Sequence, residues 1–238
     1  MNTKQVLSIL FLAAWVLSPL AHAKAPGVDK RLWKKAVSIS ESNCGLIPGT
    51  ITGNEKVSDT KGQLVEVNVT RIKVTQEPDR SLNAQLMERK ENGTDRTKAF
   101  EKEFADYKKD FLSELTQGSL FRKSNQSNIT LTAIELKQDT AVYSFTLTDQ
   151  GLTFTGQAGI DREKGHAVWA KLAVPLMEEG DMVIKDFQET TRFARQEGRW
   201  YPEEITEKMG IQIKGFFSSF KGCVETKSLM SDHFNMEE

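Results

Sequence analysis

Apolar and polar residues alternate along the second half of the chain, a pattern that predicts successive β-strands. Over residues 140–148, Tyr143, Phe145 and Leu147 occupy one face, and Ser144, Thr146 and Thr148 share the other. Short turn sequences separate this segment from similar ones at residues 128–137, 152–160, 166–174 and 182–195. Because closely spaced consecutive strands favour antiparallel pairing, the pattern predicts a meander.

A different period, typical of an α-helix, marks residues 95–117. Apolar side chains recur there at intervals of three and four residues, at Phe100, Phe104, Tyr107, Phe111 and Leu115. Charged and polar residues occupy most of the other positions, so the pattern predicts a long amphipathic helix. A shorter helix is predicted over residues 29–42 by the same criterion.

Three further segments show mixed signals. Residues 63–75 alternate as a strand, but the apolar register slips by one residue at Arg71, which predicts a bulge or bend. Pro202, followed by two glutamates, is typical of the first turn of a helix. The residues after Lys227 are mostly polar and are predicted to form a frayed tail.

These elements predict an α+β fold, with a curved antiparallel β-sheet (a meander) covered by the long amphipathic helix. No internal repeat or linker divides the chain. We assign residues 24–62 to an N-terminal helix and irregular segment, residues 63–227 to a single α+β domain, and residues 228–238 to a polar tail.

The first 23 residues carry the features of a cleaved signal peptide. Lys4 precedes an apolar run over residues 6–17, Pro19 follows it, and small residues flank His22. Cleavage is predicted between Ala23 and Lys24. We therefore expect an exported protein, located in the periplasm or, as the alternative, secreted.

Charge and cysteine content restrict the function classes. The chain has 32 Lys and Arg residues against 33 Asp and Glu residues, so no basic field favours nucleic acid as a partner. No apolar run after the signal is long enough to span a membrane. The two cysteines, Cys44 and Cys223, are predicted to form a disulfide in an oxidising compartment. The alternatives are two buried thiols or a pair of metal ligands, the latter disfavoured because no histidine cluster accompanies the cysteines.

Known enzyme motifs are absent from the sequence, including nucleophile elbows, zinc-binding helices, phosphate-binding loops and dinucleotide fingerprints. Only His166 and His233 remain after the signal, and both are predicted to be surface residues, one in a turn and one in the tail. The sequence therefore predicts no catalytic residue, no metal site and no cofactor. The expectation is a protein that is not an enzyme.

Residues 154–221 resemble the later hairpins of the exported lipoprotein carriers LolA and LolB. The matching pieces are Ile160-Asp161 with a turn at Gly165, and the G-x-W-x-P turn from Gly198 to Pro202. The resemblance implies a half-open sheet covered by a helix, with an apolar hollow able to accept acyl chains.

The leading hypothesis is an exported binding protein that holds an apolar or lipid-like ligand between sheet and helix. Candidate lining residues for this hollow are Phe100, Phe104, Tyr107, Phe111, Tyr143, Phe145, Phe154 and Leu172. The same residues could instead fill a solid core. Two other function classes stay open: an envelope protein that binds another protein through its sheet edge or surface, and a hydrolase with an unrecognised site.

Overall fold

The computed structural model describes residues 28–43, 46–117, 120–149, 152–179, 182–196, 198–214 and 219–236. The predicted signal peptide, its cleavage position between Ala23 and Lys24, and Cys44 lie outside these residues. Most described residues belong to antiparallel β-strands, and a smaller number to helices. The predicted combination of an antiparallel sheet with helices is confirmed at this level.

The described helices are α1 (Arg31–Ser42), α2 (Thr97–Gln117) and a 3-10 helix (Lys123–Asn128). The strands before α2 are β1 (Leu46–Ile47), β2 (Thr50–Asp59), β3 (Leu64–Gln76), β4 (Leu82–Glu91) and β5 (Thr94–Asp95). Those after the 3-10 helix are β6 (Ile129–Leu136), β7 (Thr140–Asp149), β8 (Leu152–Asp161), β9 (Ala167–Glu179), β10 (Met182–Gln196), β11 (Arg199–Lys214), β12 (Ser219–Ser231) and β13 (Phe234–Asn235).

Eleven of these strands form one antiparallel sheet, in the order β5-β4-β3-β2-β12-β11-β10-β9-β8-β7-β6. The sheet consists of two meanders, β2 to β5 and β6 to β12, in which consecutive strands pair. Strand β12 pairs with β11 on one side and with β2 on the other, and so joins the two meanders. β1 and β13 form a separate two-stranded sheet.

Several sequence predictions are confirmed. Strands β6 to β10 fall on the five predicted segments of the meander, and α1 and α2 fall on the two predicted helices. The bulge or bend predicted in the first long strand at Arg71 is wrong. β3 pairs with β2 in continuous register across Arg71, and the register shift between β3 and β4 at this point comes from an extra residue, Met87, on β4.

The helix predicted to start at Pro202 is wrong, because this residue lies within the long strand β11. Pro202 pairs with Phe193 of β10, next to a register shift between Arg192 and Phe193. A proline has no backbone N–H to donate, and irregular positions of a sheet tolerate that loss.

Two segments, residues 50–59 and 228–235, form β-strands that were not predicted. Residues 50–59, expected to be irregular, form β2 between β3 and β12. The predicted polar tail is wrong for residues 228–235, since β12 extends to Ser231 and β13 follows it. Met230 and Phe234 pack against a buried apolar cluster, which explains why this segment is held in place.

The two helices pack against different parts of the sheet. On α1, Trp33 and Ala36 are buried with apolar residues of β6 to β9. On α2, Phe100, Phe104 and Phe111 are buried with apolar residues of β2, β3 and β4. None of the helices in the described residues is both long and apolar enough to cross a membrane.

A third buried cluster consists, among the described residues, of side chains from strands alone. Val57, Val224 and Met209 occupy adjacent strands β2, β12 and β11, and pair with one another in register. Phe187 and Val174 extend this cluster onto β10 and β9. These residues form an apolar row across five strands of the sheet.

Candidate functional site

A cavity of about 280 Å³ lies between the helices and one face of the sheet. Its lining comes from α1, α2 and seven strands of the eleven-stranded sheet, which include β4 and β9. Five strands separate β4 from β9 in the sheet order, so in a flat sheet they would lie about 29 Å apart. Since both contribute to one cavity, the sheet bends around it.

Apolar side chains form much of the cavity wall. They come from both helices and most of the surrounding strands, and include Ile39, Phe111, Phe121, Ile51, Leu172 and Met230. Phe111 and Phe121 are almost fully buried. A wall of this kind removes apolar ligand surface from water, and it requires no reactive group to do so.

The eight residues predicted to line a hollow fall into two groups. Tyr107, Phe111 and Leu172 line the cavity. The other five pack in the apolar clusters. Phe100 and Phe104 lie in the cluster between α2 and strands β2 to β4, and Tyr143 and Phe145 lie in the cluster that contains Trp33 of α1. Phe154 is partly buried and packs against two clusters. The aromatic stripe of α2 therefore fills core at its first two turns and reaches the cavity further along.

Both histidines line the cavity, so their prediction as surface residues is wrong. His166 is 4% exposed, and its ring stacks on Trp200 with the ring centroids 3.2 Å apart. Gly165, which precedes it, adopts a positive φ of 77° in the turn between β8 and β9, a conformation that suits glycine. His233 is half-buried, with its ring 3.9 Å from that of Tyr201.

Burial lowers the pKa of His166, and the carboxylate of Asp161 opposes this shift. Burial also lowers the pKa of His233, opposed by Asp232. Among the described residues, Nδ1 of His166 has no hydrogen-bond partner. Burial therefore disfavours the charged form of both rings, which contribute flat surfaces to this part of the wall.

Charged residues also line the cavity, and Arg89 is the most deeply buried of them at 1% exposure. Its Nη1 donates a hydrogen bond to Thr70 Oγ1 at 2.8 Å, and its Nε lies 3.8 Å from Glu91 Oε1. The guanidinium carbon lies 5.1 Å from the ring centroid of Phe100. Arg89 therefore connects the α2 cluster with the polar part of the cavity.

Two glutamates of the cavity wall have perturbed acidity. Burial raises the pKa of Glu55, and the hydrogen bond from Asn68 and the charge of Arg89 partly oppose the shift. Burial also raises the pKa of Glu189, opposed by the hydrogen bond from Thr191. Both side chains are thus held where a negative charge is costly.

We expect the substitution Glu189→Gln to stabilise the protein increasingly as the pH rises. The raised pKa means that the folded state retains a proton that the unfolded state releases above its ordinary pKa of about 4.3. In the wild type, the free energy of unfolding should therefore fall as the pH rises from there through the folded-state pKa. Urea denaturation at pH 4 and pH 8 measures the difference between variant and wild type.

Glu203→Gln, at an exposed position of β11, is the control for this measurement. It should shift the unfolding free energy by the same small amount at both pH values. A Glu189→Gln variant that tracks the wild type at both pH values would contradict the expected burial cost.

Sequence reasoning missed Glu55, Arg89, Glu207 and Thr226. For three of them the sequence did contain a signal, because each stands two residues from an apolar residue that is buried in the same strand. Glu55 is two residues from Val57, Glu207 from Met209, and Thr226 from Val224. In an alternating strand these positions face the same side. A polar residue on the buried side of a strand is itself a site signal.

Cys223 lies on β12, opposite Ser58 of β2 and Gly210 of β11, and is exposed. Its predicted partner Cys44 lies outside the described residues, so the disulfide stays a prediction. Over the described ranges, no group of three or more His, Cys, Asp or Glu side chains is arranged to hold a metal ion.

Compared with known proteins, the chain matches no family model, no curated protein and no solved structure.

Proposed function

We propose that this protein binds an apolar, lipid-like ligand in the cavity between the sheet and helices α1 and α2. The observation that carries the proposal is a space of about 280 Å³ whose walls include aliphatic and aromatic side chains from both helices and the sheet. Ligand pockets of about 300–1,000 Å³ are typical for small molecules. The size therefore favours a single acyl chain or a molecule of similar bulk.

In this proposal α2, together with α1, covers the concave face of the sheet. Phe111 and Leu115 of α2 and Ile39 of α1 would contact the ligand from the helix side, and Ile51 and Leu172 from the sheet side. Burial of apolar surface contributes about 25 cal/mol per Å², so contact with these walls would supply most of the affinity.

The proposed setting is the periplasm, with a carrier-like or storage role. The signal-like first 23 residues and the resemblance of residues 154–221 to LolA and LolB support this assignment. Native mass spectrometry of protein purified from the periplasm tests it directly. A co-purifying mass that organic solvent extracts as a lipid-like molecule is expected.

A substitution that fills part of the cavity should weaken binding without disturbing the fold. Gly53 lines the cavity, and a Cβ atom built there would have Ser228 Oγ and Thr70 O as nearest atoms, both at 4.0 Å. We therefore expect Gly53→Phe to place its ring in the cavity and to weaken binding of the uncharged fluorophore N-phenylnaphthylamine by about tenfold or more, which corresponds to ~1.4 kcal/mol. A fluorescence titration measures the affinity.

Gly53→Ala is the matched control, since a methyl group leaves most of the space open and should leave the affinity of the fluorophore within a factor of about two. Thermal unfolding of both variants verifies that the fold is retained. If the wild type gives no saturable fluorescence increase, or if Gly53→Phe binds the fluorophore as well as Gly53→Ala does, the cavity is not a ligand site.

A further inference from the structure

A polar row crosses the cavity floor beside the apolar row described above. Glu55 of β2 pairs with Thr226 of β12, Thr226 pairs with Glu207 of β11, and Glu207 pairs with Glu189 of β10. All four side chains line the cavity. With adjacent strands about 4.8 Å apart, the row is about 14 Å long.

Two oxygen atoms of this row are buried without a hydrogen-bond partner among the described residues. They are Oε2 of Glu55 and Oγ1 of Thr226, on side chains that are 3% and 4% exposed. Asn68 donates to the other carboxylate oxygen of Glu55 at 2.6 Å, which holds the side chain in place. Buried polar atoms are normally paired, so these neighbouring acceptors indicate a donor that binds between them.

The charges around the cavity favour a cationic donor. Three glutamates, Glu55, Glu189 and Glu207, line the cavity, against two arginines, Arg89 and Arg122. Arg89 is already paired with Thr70 and Glu91. Glu189 and Glu207 stand directly opposite each other on β10 and β11, so oxygen acceptors continue along the row.

Arg89 also has unsatisfied capacity, because its Nε and Nη2 have no hydrogen-bond partner among the described residues. An anionic head group could use these donors. It would, however, have to approach a wall that already carries the carboxyl groups of Glu55 and Glu207, and their repulsion disfavours it. The carboxyl and hydroxyl oxygens of the polar row therefore favour a cationic head group over an anionic one.

We propose that the ligand is a single-chain amphiphile with a protonated primary amine as its head group. The ammonium would donate hydrogen bonds to Glu55 Oε2 and Thr226 Oγ1, with Glu207 beside it, while the alkyl chain occupies the apolar part of the cavity. An ammonium group has three donors, which suits a row of oxygen acceptors. This inference rests on the proposed function and names its ligand class.

Three probes with the same chain and different head groups test the inference: dodecylamine, dodecan-1-ol and dodecanoate. Each is kept below its aggregation concentration, and its affinity for the purified protein is measured at pH 7 by displacement of N-phenylnaphthylamine. We expect dodecylamine to bind about tenfold more tightly than dodecan-1-ol, the effect of one charge-assisted hydrogen bond. Dodecanoate should bind most weakly.

Two substitutions locate the effect. Glu55→Gln should remove most of the preference for the amine and leave the affinity for the alcohol unchanged. Thr226→Val, which keeps the side-chain shape and removes the unpartnered oxygen, should weaken amine binding several-fold. Glu225→Gln is the control, because Glu225 neighbours Thr226 on β12 but forms an exposed ion pair with Lys208.

The outcomes separate the two proposals. Amine preference that disappears in Glu55→Gln supports the inference. Equal binding of all three probes, or amine preference unchanged in Glu55→Gln, overturns the inference and leaves the proposed function standing. Tightest binding of dodecanoate also overturns it, in favour of an anion held by Arg89. If none of the probes displaces the fluorophore and the fluorophore itself does not bind, the proposed function fails.

Discussion

Replacing Arg89 by methionine is expected to lower the free energy of unfolding by about 3–5 kcal/mol, the usual cost of removing one partner from a buried group of charges. Arg89 is 1% exposed, and its charge acts on the buried carboxyl group of Glu55. Without the guanidinium, Thr70 Oγ1 loses its donor and Glu91 loses its buried cation. Urea denaturation at pH 7 measures the loss.

A second substitution identifies the cause of that loss. If the uncompensated charge of Glu55 dominates, adding Glu55→Gln to Arg89→Met should recover part of the stability, and the two effects should be non-additive. Arg71→Met, at an exposed position of β3, is the matched control and should change the unfolding free energy by less than about 0.5 kcal/mol. A loss below about 1 kcal/mol for Arg89→Met would be incompatible with a buried, paired arginine.

The substitution Trp33→Ala is expected to cost about 3–5 kcal/mol, because a large buried aromatic side chain leaves a void when truncated. Trp33 is 4% exposed, and its ring centroid lies 5.0 to 5.6 Å from those of Phe121, Tyr143 and Phe145. Its Nε1 donates to Gln126 Oε1 at 2.7 Å. This side chain fixes α1 to the sheet and to the 3-10 helix.

Trp33→Phe separates the two contributions of the indole. It keeps most of the aromatic packing but removes the donor to Gln126, so we expect an intermediate loss of about 1–2 kcal/mol. Lys34→Ala, at the neighbouring exposed position of α1, should leave stability within about 0.5 kcal/mol of the wild type. Similar denaturation midpoints for Trp33→Ala and Lys34→Ala would show that α1 contributes little to the fold.

Sequence patterns predicted those elements in which a single apolar period dominates. The meander from β6 to β10 has buried faces such as Tyr143, Phe145 and Leu147, and the stripe of α2 repeats at helical spacing. In both, one period dominates and no competing signal interferes. Pro202 shows the opposite case, where a local helix preference loses to eleven paired positions between β11 and β12.

The polar row explains why β2 was missed. Its inward positions are Ile51, Gly53, Glu55 and Val57, so a glycine and a glutamate interrupt the apolar alternation. The same interruption occurs at Thr226 in β12. Binding residues depart from the pattern that builds a core, and pattern reasoning is therefore weakest where a ligand would bind.

The pairing of β12 with β2 has a consequence for the order of assembly. The N-terminal meander acquires its last hydrogen-bonding neighbour only when β12 becomes available, and Ser58 of β2 pairs there with Cys223, 165 residues later in the chain. If the chain crosses a membrane from its N-terminus, β2 would be translocated long before β12. The backbone groups on one edge of β2 would then stay unpaired until almost the whole polypeptide has crossed. Such a chain would depend on a holdase chaperone during that interval. Pairing of β12 with both β2 and β11 would then join the two meanders into one sheet.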